Sequence, residues 1–171
     1  MKISLHAVTY HGLKKVISGQ YDDRMRRSSF EIHSSRIPFQ AKSTFTSKEA
    51  KVQLLSNKKG VLTVKNEKFD FVKTSFLRNS IDVYDSKNQL IVKFLAYTIS
   101  RVSWGHAKVV LQFQSGEKND SIEIAMKLLS GWSGSDSAEI EILDTSSLLM
   151  GGYSVSHFMP LIVWNILHRY Y

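Results

Sequence analysis

A mainly β fold is what the sequence predicts: an antiparallel meander, closed into a barrel around one apolar C-terminal α-helix or packed on it. Three observations carry this expectation. Apolar and polar residues alternate with a period of two through the middle of the chain, short polar segments divide the alternating runs, and the last stretch turns apolar and uncharged. The chain is 171 residues long, with 43% hydrophobic and 22% charged residues and two prolines, which suits one globular domain over 1–171.

Ile3, Leu5 and Ala7 suggest a first strand. Residues 1–29 otherwise read as irregular strand and loop; 9–29, with Gly12, Gly19 and Asp22-Asp23-Arg24, could be loop, a short helix or both. Antiparallel strands are expected over 30–150. Ser47 could cap a helix, but Val52 and Leu54 oppose Lys51 and Gln53, which favours a strand. Phe69 and Phe71 flank Asp70; Val109, Leu111 and Phe113 alternate with Lys108, Val110 and Gln112. Ile122, Ile124, Met126 and Leu128 alternate with Glu123, Ala125 and Lys127, and Ile140 and Ile142 with Glu139 and Glu141. Such runs suit strands buried on one face, the antiparallel arrangement. Polar turns at Ser56–Gly60, Asp85–Gln89 and Ser115–Asp120 join them into three hairpins, the first two matching loosely at an offset of 29 residues. Gly131–Ser137 reads as a loop.

A helix is expected over 156–170, capped by Ser156 and carrying Pro160 in its first turn. Phe158, Met159, Leu161, Ile162, Val163, Trp164, Ile166 and Leu167 cover nearly its whole circumference, and a helix apolar all round is buried or in a membrane. No formal charge lies between Leu148 and Leu167, yet the dense apolar run is about half the ~20 residues needed to span a bilayer, so a core helix is expected.

The net charge of +8 is unevenly placed: residues 1–73 hold fifteen Lys/Arg against six Asp/Glu, and 74–171 hold eight against nine. Solubilising surface lysines would account for this blandly; an anion-binding face is the functional alternative. The candidates for such a face are Lys14, Lys15, Arg26, Arg27, Lys58 and Lys59, with the arginines partly neutralised by Asp22-Asp23. Catalytic signatures are missing. Gly131-Trp132-Ser133-Gly134-Ser135 has serine where a nucleophile elbow needs glycine, and no glycine-rich phosphate loop occurs. The six histidines show no metal-ligand spacing; His157 and His168 share a helix face but stand about 16 Å apart. The chain has no cysteine, so disulfides and thiolate-held metals are excluded. No cofactor or metal is expected. An amino terminus without an apolar signal segment makes a cytoplasmic location the expectation, with peripheral membrane association as its extension.

Serial hairpins ending in one apolar helix, carried here by Val52–Val64, Ile81–Phe94, Leu111–Met126 and Phe158–Leu167, resemble the tubby-like barrel superfamily. That superfamily includes tubby C-terminal domains, phospholipid scramblases and LURP-one-related proteins. The resemblance spans about residues 30–171 and rests on pattern, without a diagnostic motif. It implies an antiparallel barrel around the C-terminal helix, and a non-catalytic binding or scaffold domain that docks on anionic membrane surfaces or phosphoinositide-like head groups. The chain lacks the palmitoylated cysteine cluster and the acidic calcium loop of scramblases, which argues against scrambling. A lipocalin-like carrier of an apolar ligand and a basic β domain that binds nucleic acid are the alternatives.

Overall fold

The computed structural model describes residues 2–23, 26–35, 42–75, 80–103, 106–130, 136–142, 149–150 and 152–170. Strands dominate them: β1 (Lys2–His11), β2 (Lys14–Asp23), β3 (Arg26–Ser35), β4 (Ser43–Ser47), β5 (Ala50–Leu54) and β6 (Lys59–Val64) are followed by β7 (Glu67–Ser75), β8 (Ser80–Tyr84) and β9 (Leu90–Ser103). Then come β10 (His106–Ser115), β11 (Lys118–Ser130), β12 (Asp136–Ile142), a short hairpin of β13 (Leu149–Met150) and β14 (Tyr153–Ser154), and the helix α1 (Val155–Tyr170). Each strand from β1 to β12 pairs antiparallel with the next. The order closes on itself where β1 meets β12 at Lys2↔Glu141, Ile3↔Ile140 and Ser4↔Glu139.

Alternation explains which residues face inward. Val52 and Leu54, Leu62 and Val64, Phe69 and Phe71, Ile81 and Val83, Val92 and Phe94, Leu111 and Phe113, and Ile122 and Ile124 are buried, while most of the residues between them are half-buried or exposed. Every residue of α1 from Phe158 to Leu167 is buried, nearly three turns covered on all sides. The strands are what surround it: Phe158 meets Phe69 and Phe94 edge-on, and Trp164 meets Phe71. Twelve strands at the usual spacing and a tilt of about 40° give a ring roughly 12 Å in radius, room for one helix and an inward layer of side chains.

The N-terminal region departs from expectation. The described residues of 1–29 are regular where irregular strand and loop were expected: β1 and β2 are ten-residue strands and β3 begins at Arg26. The inner face of β2 reads Lys15, Ile17, Gly19, so a lysine and a glycine break the apolar alternation that would have marked it. Gly19 is required there, because a Cβ would stand 2.6 Å from Cζ of Phe30, its cross-strand partner, and 2.8 Å from the Ser4 carbonyl oxygen. Gly60 repeats the device opposite Phe71, where a Cβ would meet the ring Cζ at 2.2 Å.

Smaller corrections follow from local hydrogen bonding. Ser47 caps no helix; its Oγ accepts from Ala50 N at 3.1 Å and closes the β4–β5 turn. The helix starts at Val155, ahead of Ser156, which moves Pro160 into the second turn, where proline, having no N–H, leaves the residue 156 carbonyl without its intrahelical donor. Asp136 and Ser137, expected in a loop, begin β12; residues 131–135 of that stretch lie outside the described residues. The turns matched at an offset of 29 share a mechanism. Ser56 Oγ accepts from Lys59 N at 3.1 Å, and Asp85 Oδ1 accepts from Lys87 N and Gln89 N at 2.9 and 2.8 Å.

Candidate functional site

In an antiparallel meander alternate turns share an end of the sheet. The turns β1–β2, β3–β4, β5–β6 and β7–β8 therefore lie at one end, and β2–β3, β4–β5 and β6–β7 at the other. The helix distinguishes the two. Its first turns pack on Phe69 and, through Phe158, on Tyr153 of β14, making an aromatic end. Its later turns approach the end of β7 and the start of β4, where Trp164 Nε1–H donates to Ser43 Oγ at 2.8 Å and Lys73 Nζ lies 5.0 Å from the indole centroid.

That second end gathers lysines. Lys14 opens β2 opposite Ser35, whose N–H donates to the Lys42 carbonyl at 2.9 Å. Lys58 and Lys59 sit in the β5–β6 turn, and the Lys58 carbonyl accepts from Lys73 N at 2.7 Å. The side chains of Lys14, Lys42, Lys58 and Lys59 are exposed, and no Asp or Glu stands among the described residues at this end between β2 and β7. Two exposed apolar side chains accompany them: Leu13, 60% exposed in the β1–β2 turn beside Lys14, and Leu55, 63% exposed beside the Ser56 turn. They are the most exposed large apolar residues described, and four strand spacings at that tilt put their turns roughly 25 Å apart around the rim.

Four of the six residues expected to bind anions are thus brought together, but not all as surface charges. Lys15 is 3% exposed and points inward, so it is corrected from a docking residue to a structural one. It pairs with Ser34, which pairs with Ser43, so it belongs to the inward polar row that ends on Trp164, and it is engaged within the fold. A buried lysine needs such company. Lys15 and Lys73 also stand at the end to which the helix C-terminus points, where its carbonyls carry partial negative charge. Lys73 was no candidate; its burial lowers the ammonium's pKa below 10.5. Arg26 and Arg27 lie at the opposite end, in register with Asp23 and Asp22, which separates them from the lysines.

The helix also decides what the interior can hold. Phe158, Leu161, Trp164 and Leu167 are wholly buried against the strand side chains, in the space a carried ligand would need. Among the described residues no cluster of His, Asp and Glu could hold a metal, and no helix is long and apolar enough to cross a membrane. No family model matches the chain, and no curated protein or solved structure matches it.

Proposed function

We propose that this chain is a non-catalytic, tubby-like barrel domain that docks through its lysine end on anionic membrane surfaces. One observation carries the reading: Leu13 and Leu55, the most exposed leucines among the described residues, share an end with the exposed Lys14, Lys42, Lys58 and Lys59. Lysines near an anionic leaflet contribute about 1 kcal/mol each, and apolar side chains beside them add burial in the acyl boundary. A polyanion such as RNA would reward the lysines alone, so the leucines favour lipid. The twelve-strand order around a helix buried on all sides supports the tubby-like part of the reading.

Sedimentation with phosphatidylserine-containing vesicles, against neutral phosphatidylcholine vesicles, tests it. Lys58→Gln with Lys59→Gln should weaken binding by about 30-fold, the equivalent of about 2 kcal/mol. Leu13→Ser with Leu55→Ser should also weaken it, with less dependence on salt. A wild-type protein that ignores anionic vesicles at low salt ends the proposal. Leucine variants that bind vesicles and RNA as wild type does would make it a general polyanion binder instead.

A further inference from the structure

The other end of the barrel holds a second basic feature that the docking reading does not use. A groove of about 540 Å³ opens between the β4–β5 and β6–β7 turns. Its wall is the outward row Thr46, Lys51, Thr63, adjacent across β4, β5 and β6. Its lips are Lys48 on one turn and Lys65 and Asn66 on the other. The turns are tied by Lys65 N donating to the Glu49 carbonyl at 3.1 Å, and Lys65 and Asn66 hold left-handed φ of 48° and 71°, the geometry of a tight two-residue hairpin. The groove is therefore built on backbone hydrogen bonds and does not depend on the lysine side chains.

Its electrostatics are unbalanced. Among the described residues Lys48, Lys51 and Lys65 make no ion pair or side-chain hydrogen bond, including with Glu49, the one carboxylate lining the groove. Three unpaired ammonium groups around a cleft whose wall carries two threonine hydroxyls match a ligand with several anionic oxygens, each able to accept from a lysine or a hydroxyl.

We infer that this groove is a binding site for a soluble, multiply charged phosphate ester. The solubility of the ligand rests on the membrane-docking reading; its anionic chemistry does not. Ala50 opens β5 and Leu55 follows its last residue, about 17 Å away along the strand and about 13 Å along the barrel axis. The head-group layer of a leaflet is only about 5–8 Å deep. With the lysine end on the membrane, the groove stands above the head groups and faces water.

The test uses the full chain and sodium tripolyphosphate as probe, titrated by calorimetry at low salt without lipid, beside vesicle sedimentation of the same proteins. Tripolyphosphate should bind wild type and Lys58→Gln/Lys59→Gln alike, and Lys48→Glu/Lys51→Glu should lose more than about 10-fold. Lys65→Asn, a residue tolerant of left-handed φ, should lose part of the affinity. Lys87→Glu/Lys118→Glu, an equal change of net charge at exposed positions elsewhere, should leave binding within about 3-fold. Absence of binding to wild type, or an equal loss in the charge-matched control, overturns the site. Vesicle binding lost in Lys48→Glu/Lys51→Glu but kept in Lys58→Gln/Lys59→Gln would make the groove a lipid head-group site, overturning both the soluble ligand and the docking end. Tripolyphosphate binding as expected in a protein that ignores vesicles leaves the anion site standing and ends the docking reading alone.

Discussion

At the aromatic end, Phe69, Phe158 and Tyr153 pack edge to face around the start of the helix; at the lysine end, Ser43 and Lys73 meet Trp164 of its later turns, and Lys15 of β2 and Asn165 of the helix are buried. Aromatic packing covers the start of the helix at the first end, and hydrogen bonds close and tie the turns there. The second end spends buried positions on polar groups that need partners, and beyond them carries exposed leucines among unpaired lysines. A domain selected only for stability has little use for that combination. The difference teaches that buried polar groups and exposed leucines gather at one end of the sheet while aromatic packing lies at the other, with the helix joining them.

Substitutions at the two ends should therefore differ in kind. The largest effect is expected in the shared core: Leu161→Asp places an unpaired carboxylate where the side chain is wholly buried and should cost more than about 4 kcal/mol, seen as loss of the cooperative thermal transition. Next comes the aromatic end, where Phe158→Ala should lower stability by about 3–5 kcal/mol in denaturant melts and leave vesicle binding of the folded fraction unchanged. At the lysine end Gly60→Ala forces a methyl against the Phe71 ring and should cost about 1–3 kcal/mol; Phe71→Leu in the same chain should recover part of it, a coupling read from a double-mutant cycle.

Weaker effects sharpen the contrast. Trp164→Phe keeps the ring but loses the donor to Ser43 and should cost about 1–2 kcal/mol, measured by equilibrium unfolding. Lys73→Met should be nearly neutral at pH 7 and visible mainly in the pH dependence. Burial disfavours the Lys73 ammonium, so the folded pKa lies below 10.5 and the unfolded chain keeps the proton to higher pH. Stability attributable to this group should rise as pH climbs from the lowered value towards 10.5, and Lys73→Met should remove that rise. An unchanged profile between wild type and variant would show that the site is solvated.

Much of the fold was legible because its signals are local. Ile122 and Ile124 alternate with Glu123 because one face of β11 is wet and the other is not, and Ser56 and Asp85 mark turns because their side chains can accept neighbouring amides. The hairpin of β2 and β3 was illegible for an equally physical reason. Its inner face must leave room for the Phe30 ring at Gly19 and meet the polar row of Ser34 and Ser43 at Lys15, so the residues that fit it do not look like a core. The candidate site was half legible: Lys58 and Lys59 announced themselves by turn composition, whereas Lys15 resembled its neighbour Lys14 until strand register turned one inward and the other out.

The sequence by itself determined that the chain would be an antiparallel β domain with a buried C-terminal helix. Period-two alternation and a helix apolar on all sides each permit few ways of removing carbon from water. Only the tertiary structure decided where the charge of residues 1–73 would act. Lys14, Lys42, Lys58 and Lys59 are up to 45 residues apart in the chain, yet antiparallel pairing returns every second turn to the same end of the sheet. The same pairing carries Lys48 and Lys65 to the opposite end, because a strand's direction reverses at each turn and a residue's end depends on how many turns precede it.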